Sequence, residues 1–451
     1  MSHPPLLIVV LAAGKGVRMR SSRPKVLHGI GGRSMLGHVL ATATAAGAAK
    51  IALVVAPGQE QVRAEAEKMV PGIAIFEQQT QAGTADAVLA AAPAIAAHQG
   101  DTLVMFADTP LIRPETLAAM VSVLDTGAAV SVLGFEPADL TGYGRVLCDA
   151  NGDVTAIREQ KDASPAERTV RLCNAGAMAF RVDGLVDLLK AIDNKNASAE
   201  YYLTDAVALA RARGKAVRVA VGSVEDAMGV NSRLQLAEAE AAFQQRARRR
   251  AMEEGVTLVA PETVWFSYDT KLGRDVVIEP NVVFAPGVTV DDDVTILAHC
   301  HIASARIRQG ARVGPFARLR PGADLGEGAH VGNFVEVKAA VLEKGAKANH
   351  LSYIGDGHVG ADANIGAGTI FCNYDGFDKH RTIIGKGAFV GSNSSLVAPV
   401  TIGDGAYVGS GSVITRNVEP DSLVVERAPL EVRPGWAAKF RQMKQRRKKR
   451  A

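Results

Sequence analysis

Leu11-Ala12-Ala13-Gly14-Lys15-Gly16-Val17-Arg18-Met19, followed by Arg23-Pro24-Lys25, is the stretch whose residue types speak most directly of chemistry. A glycine-rich loop between a strand and a helix leaves backbone N–H groups free to cradle phosphate oxygens. Arg18 and Lys25 stand close enough in sequence to add charge there. The dinucleotide fingerprint would need a third glycine near Val17 and an acid about 20 residues on. The pattern G-x-x-x-x-G-K-[ST] is also missing. Phosphate binding by another kind of loop and a tight turn carrying two solvated cations both fit these residues. Far downstream, Leu319-Arg320-Pro321-Gly322 and Val335-Glu336-Val337-Lys338 place two more cations on neighbouring repeats.

The elements that must position these groups follow from hydrophobic periodicity. Residues 6–11 form a short all-apolar run ended by glycines, the pattern of a buried parallel strand. Similar runs lie at 51–55, 102–106 and 128–133, with alanine-rich helical stretches such as 83–97 and 115–124 between them. That alternation predicts an α/β domain, a sheet covered on both faces, over residues 1–230. Residues 234–254 are polar, rich in Ala, Glu and Arg, and free of glycine, which predicts a connecting helix within 231–254. The remainder, 255–451, forms a second domain with a basic tail.

Within that domain an aliphatic residue returns every sixth position. Leu272, Ile278, Phe284, Val290, Ile296 and Ile302 share one phase; after a one-residue slip, Ile307, Val313, Leu319, Leu325, Val331 and Val337 share the next. Ile384, Val390, Leu396, Ile402, Val408 and Ile414 close the series. Period six is neither helical nor a plain alternation; it is the repeat of a parallel β-helix, with three hexapeptides to a triangular coil. The rhythm weakens at Ala348-Asn349-His350-Leu351-Ser352-Tyr353 and again over residues 372–381. These interruptions mark where polar chemistry can enter.

Composition bounds the class. The 451 residues are 47% hydrophobic and 22% charged, which is globular, and the low aromatic content of 5% suits a solenoid filled by Ile, Val and Leu. The formal charge of +4 gathers at the end of the chain. Four cysteines without paired spacing suggest a reduced, cytoplasmic protein. No stretch approaches the roughly 18 apolar residues of a membrane span, so neither a signal peptide nor an anchor is expected. His299-Cys300-His301 is poorly spaced for a tetrahedral zinc site.

The string L-A-A-G-x-G-x-R-M-x-S-x-x-P-K resembles the signature of sugar-nucleotide pyrophosphorylases, with Val17 where threonine is usual. With the solenoid attached, the resemblance covers nearly the whole chain. It extends to the bifunctional bacterial family that joins a glucosamine-1-phosphate N-acetyltransferase to an N-acetylglucosamine-1-phosphate uridyltransferase. It implies a Rossmann-like nucleotidyltransferase domain, a long connecting helix and a left-handed parallel β-helix. The implied product is UDP-N-acetylglucosamine, a precursor for peptidoglycan and lipopolysaccharide.

Residue roles follow from that resemblance. Leu11, Ala12, Ala13, Gly14 and Lys25 would hold the UTP phosphates and ribose, with Arg18 and Lys25 neutralising charge in catalysis. Gln78, Gly83 and Thr84 match the uracil-reading segment. Asp108, in Phe106-Ala107-Asp108 where the family has Tyr-Gly-Asp, and Asn231 match the Mg²⁺ ligands, a hard-oxygen set. Gly144, Glu159 and Asn174 match contacts to the acetamido sugar. In the solenoid, Arg320, Lys338, Tyr353 and Asn364 match the sugar-phosphate grip, and His350 matches the general base that takes the amine proton. Ala367, Asn373, Tyr374, Ser392, Ser410 and Arg427 match acetyl-CoA contacts. The resemblance further implies a homotrimer through the β-helix. The basic run from Lys439 to Arg450 lacks the aromatic residues and fold of base recognition. It is read as a solvated or partly helical tail, with no nucleic-acid or membrane partner.

Overall fold

The computed structural model describes residues 4–448; Lys449 and Arg450 of the basic run lie outside the described residues. Two compact units divide the chain, Met1–Ala247 and Arg248–Ala451. In the first, the strand Leu6–Leu11 is buried along its whole length. Alternate side chains leave a strand on opposite faces, so Leu6, Ile8 and Val10 enter one core while Leu7, Val9 and Leu11 enter another. Leu36 and Leu40, Val62, and Leu117 and Met120 from three helices complete the first core. Ala85 and Val88, Leu188, and Val207 from three other helices complete the second. Two covered faces leave no place for a polar alternate, which is why the run reads LLIVVL.

The sheet order is Val217–Val221, Val130–Phe135, Cys173–Phe180, Asp101–Phe106, Leu6–Leu11, Lys50–Val55 and Ala74–Glu77. Cys173–Phe180 runs antiparallel to both its neighbours, so the sheet is mixed, and its register slips between Asn174 and Met178. Leu6–Leu11 and Asp101–Phe106 are parallel and in register from Leu6↔Asp101 to Leu11↔Phe106. The loops after Leu11 and after Phe106 therefore emerge side by side, tied by the Ala107 N–H donating to Leu11 O at 3.0 Å. Crevices at the carboxyl ends of such strands are the usual ligand sites of open α/β sheets.

The helix Arg233–Glu253 spans the boundary between the units. It is not a bare spacer: Ala239, Leu236 and Phe243 pack with Ile30, Met35, Leu111 and Val230. A Cβ on Gly31 would fall 2.3 Å from the Phe243 ring, so glycine lets the helix seat there.

The second unit is a parallel β-helix whose strands are mostly two residues long. Such strands cannot hold themselves; each fully buried Ile, Val or Leu contributes roughly 1.5–3 kcal/mol, and stacking supplies the burial. Three ladders of inward residues run up the coils. One carries Ile278, Ile296, Val313, Val331, Ala348, Ile365, Val390 and Val408. A second carries Phe284, Ile302, Leu319, Val337, Ile354, Phe371, Leu396 and Ile414. A third carries Leu272, Val290, Ile307, Leu325, Leu342, Val359, Ile384 and Ile402.

From the third ladder to the first, and from the first to the second, the step is always six residues. All irregularity falls at one corner, from the second ladder to the third. There the step is five at Ile302→Ile307, Val337→Leu342 and Ile354→Val359, and 13 at Phe371→Ile384. The solenoid also begins earlier than residue 272, since Thr257–Leu258 pairs with Val277–Ile278. It continues past Ile414 to Leu423–Val424. The chain ends in an exposed helix, Trp436–Lys448, with Trp436 stacked on Phe440 at 5.1 Å. Among the described residues no helix is long and apolar enough to cross a membrane.

Candidate functional site

In the first unit two adjoining cavities open at the strand ends. The first, of about 370 Å³, is lined by Leu11, Ala12, Ala13, Gly14 and Lys25, with Gln78, Gly83, Thr84 and Asp108. The second, of about 590 Å³, is lined by Arg18, Gly144, Glu159, Asn174 and Asn231. Thr84, Phe106, Asp108 and Glu200 border both. The nucleotide and sugar assignments thus fall into neighbouring compartments that meet at Asp108. Arg18 is exposed and lines the second cavity rather than the first.

Gly16 and Gly14 play different parts in the loop. Gly16 adopts φ 61°, and a Cβ there would fall 2.6 Å from Lys25 Cβ. It lets the loop close onto the lysine stem. Gly14 has open space within 4 Å, on the cavity wall. Lys25 Nζ reaches Asp108 Oδ2 at 2.5 Å and Asn231 Oδ1 at 3.0 Å. One carboxylate and one amide oxygen therefore converge on a single cation point. This donor set fits a hard divalent ion completed by substrate phosphates.

Gln78 is buried, and its Nε2 donates to Gly83 O at 2.9 Å and to Asp86 Oδ2 at 2.8 Å. Both amide protons are committed within the protein, so the group left for a base is its acceptor oxygen. Gly83 (φ 133°) leaves no room for a side chain, since a Cβ would meet the Tyr201 backbone at 2.5 Å. Thr84 Oγ1 accepts from the Leu203 N–H at 2.8 Å, fixing the segment that carries Glu200. Along the second cavity the Asn174 N–H donates to Gly144 O at 2.8 Å. Burial pushes the Glu159 carboxyl above the usual carboxylate range; Asp162 and Asp205 add to this and a bond from Thr204 opposes it.

In the β-helix the residues singled out fall into columns. Asn333, His350, Ala367, Ser392 and Ser410 each follow an inward residue of the first ladder by two positions. They therefore stack along one corner, with Gly411 N–H donating to Ser392 O at 2.8 Å and Asn393 N–H to Ala367 O at 2.7 Å. Five rungs, separated by four steps of about 4.8 Å, make a stripe roughly 19 Å long. Within it, His350 Nδ1 lies 2.6 Å from Asn333 Oδ1. An amide oxygen there accepts from Nδ1–H, which leaves Nε2 as the ring nitrogen outside that bond.

Arg320 and Lys338 each follow an inward residue of the second ladder by one position, at the irregular corner. Arg320 pairs with Glu336 at 2.8 Å, and Lys338 with Asp356 at 3.0 Å. These bonds raise both cations above their ordinary range, Asp356 acting first on Lys338 and Glu336 on Arg320. Burial pushes the Asp356 carboxyl up, but Lys338 and the Asn373 amide outweigh it and hold the group below the usual range. Tyr353 stands beside this pair of cations: a Cβ on Gly355, next to Lys338 in the sheet, would collide with its hydroxyl at 2.4 Å.

Asn373 and Tyr374 are not on the stripe with Ser392. Asn373 donates to Asp356, and the exposed Tyr374 bonds Gly376 O at 2.6 Å, both at the irregular corner. Asn364 lies on the first ladder's outer face, paired in register with Lys347. Arg427 is exposed just beyond the last rung, Leu423–Val424. Sequence reasoning passed over Asn333, Glu336, Asp356 and Glu200. The first three stand 17, 16 and 18 residues from His350, Arg320 and Lys338. That is one coil in each case, so the repeat length itself was the missed signal.

Residues 8–168 match the family model of the MobA-like NTP transferase domain. Residues 269–304 and 381–416 match the bacterial transferase hexapeptide of six repeats. Among curated proteins, the chain is 58% identical over 441 residues to Bifunctional protein GlmU of Azorhizobium caulinodans, covering 98% of each chain. It is 58% identical over 441 residues to the protein of that name from Xanthobacter autotrophicus, again covering 98% of each. A third, from Bradyrhizobium sp., is 55% identical over 443 residues, covering 98% of this chain and 99% of that one.

Proposed function

The chain belongs to the family of bifunctional GlmU proteins, and on that premise we propose how its two units divide one synthesis. The solenoid acetylates glucosamine-1-phosphate with acetyl-CoA. The first unit then transfers UMP from UTP to the resulting N-acetylglucosamine-1-phosphate, giving UDP-N-acetylglucosamine and pyrophosphate. The observation that carries the reading is the convergence of Lys25 with Asp108 and Asn231 in the first unit, while His350, Arg320 and Lys338 all lie in the other.

For uridylyl transfer no protein nucleophile is needed, because the sugar phosphate oxygen attacks the α-phosphorus of UTP in line. The loop from Leu11 to Gly14 offers backbone N–H groups to the phosphates, and Lys25 offsets their charge. Glu159 and Asn174, on the sugar side, position the acceptor. Asp108 and Asn231 would hold Mg²⁺, which when bound neutralises phosphate charge. For acetyl transfer, Arg320 and Lys338 grip the sugar phosphate while His350 Nε2 takes the amine proton, its Nδ1–H held by Asn333. A stripe roughly 19 Å long suits an extended ligand such as acetyl-CoA.

The homotrimer belongs to the same proposal. Asn373 and Tyr374 lie at a different corner from Ser392 and Ser410, so one solenoid does not gather every assigned CoA contact. Outside the stripe, His299, Phe316 and Phe334 form an exposed stack with ring centroids 4.7 and 5.1 Å apart. Such a patch suits burial against another copy of this chain. All four cysteines are free, which supports a reducing, cytoplasmic setting. The test is a coupled assay on the sized protein. Glucosamine-1-phosphate, acetyl-CoA, UTP and Mg²⁺ should yield both free CoA and UDP-N-acetylglucosamine, from a species with three times the protomer mass. Release of CoA without the nucleotide sugar, or a fully active monomer, would refute the corresponding half.

A further inference from the structure

The Lys25 ammonium sits 2.5 Å from Asp108 Oδ2 and 3.0 Å from Asn231 Oδ1. These are the two oxygens assigned to the metal. A magnesium ion would stand about 2.1 Å from its oxygens, inside the space the ammonium fills. Two cations at such separation repel strongly where water is scarce, and the Lys25 side chain is only 9% exposed. The lysine stem is held: Lys25 opens the short helical turn Lys25–Leu27, and Gly16 closes onto its Cβ. Its head therefore has two destinations. One is the Asp108–Asn231 pair; the other is the cavity of the phosphate loop, which Lys25 also lines.

We infer that Lys25 is the resident cation of the Asp108–Asn231 pair, and that a divalent ion replaces it there only as the ammonium swings to the nucleotide phosphates. The inference rests on the uridylyl-transfer reading of this cleft. It makes one side chain the coupling element between metal and nucleotide. Phosphate draws the lysine away and uncovers two oxygens; a metal on those oxygens drives the lysine toward phosphate. By linkage the two effects are equal in size. In the absence of nucleotide the carboxylate is already neutralised, so free divalent ions bind weakly.

Mn²⁺ is the probe, titrated against the full chain without nucleotide while free ion is followed by electron paramagnetic resonance. Lys25→Met should bind one Mn²⁺ about tenfold or more tighter than the wild type, within the usual span of coupled sites. In the double variant Lys25→Met/Asp108→Asn that gain should vanish. Equal affinity in the wild type and Lys25→Met, including no binding by either, overturns the exchange. Tight binding that survives in the double variant places the ion elsewhere and overturns the reading of Asp108 instead. If Lys25→Met does not fold, Lys25→Gln, which keeps a polar head for Asp108, serves for the same comparison.

Discussion

The cleft of the first unit and the stripe of the solenoid solve one problem, positioning polar groups, by opposite means. In the cleft, side chains 83 and 206 residues apart meet at a point, Lys25 with Asp108 and with Asn231. They meet because parallel strands in register deliver their loops to one edge. On the solenoid, neighbours are one coil apart, and a residue's partner can be read by counting. The cleft is built by convergence and the stripe by repetition. Irregularity borders part of each site, although His350 lies on a step that stays at six residues. Asn174 begins the register slip of its strand, and Arg320, Lys338 and Asp356 gather at the one corner where the six-residue step breaks.

The widest test of this contrast is whether the two sites fail separately. Lys25→Ala or Asp108→Ala should lower uridylyl transfer about 10³-fold, the scale of a lost charge contact on a transferring phosphoryl group. Acetyl transfer should stay near the wild-type rate. His350→Ala should do the reverse, lowering acetyl transfer roughly 10²–10⁴-fold. Each activity is measured alone, with its own substrates supplied. Parallel loss of both in a folded variant would mean the units are not independent and would break the comparison.

Within the cleft, the paired glycines separate architecture from ligand space. Gly16→Ala forces a side chain into φ 61° and against Lys25 Cβ, which should destabilise the first unit by about 1–3 kcal/mol. Gly14→Ala meets nothing within 4 Å, so stability should stay within about 0.5 kcal/mol. The new methyl group would instead stand on the cavity wall and raise KM for UTP. Thermal melts and UTP saturation curves for both variants check this. A Gly14→Ala protein with unchanged KM would remove the phosphates from that wall.

Legibility follows the same division. The solenoid could be read from its inward aliphatics, and its slip at Ile302→Ile307 already signalled the irregular corner. What escaped was the outward neighbour: Glu336 and Asp356 were not sought beside Arg320 and Lys338, although the coil length predicts them. Four strands of the first unit's sheet were legible from their apolar runs, at 6–11, 51–55, 102–106 and 128–133; Ala74–Glu77 and Val217–Val221 were not. Nor was Cys173–Phe180, since Asn174, Gly176 and three alanines leave no strong apolar run, and its antiparallel course is set by topology. No spacing rule joins Asp108 to Asn231; only resemblance paired them. Glu200 lies in an irregular segment held by Thr84, and nothing periodic marks it.

The smallest expected effect asks whether the sugar compartment is strained for function. Burial raises the Glu159 carboxyl, with Asp162 and Asp205 adding to the shift. A folded-state value above the unfolded one means that the fold favours the protonated form. The stabilising contribution is present below the unfolded value and is lost as pH rises through the folded value. Above the unfolded value the raised carboxyl is therefore a burden on the first unit, and Glu159→Gln should relieve it. Its melting temperature should rise at pH 7. The advantage should shrink as pH falls toward the ordinary carboxylate range, where wild-type Glu159 also holds its proton. The same substitution should weaken uridylyl transfer by removing a charged acceptor from the sugar. A variant no more stable at pH 7 would show that the surrounding groups already compensate the buried charge. The contrast between cleft and stripe would then rest on geometry alone, convergence against repetition.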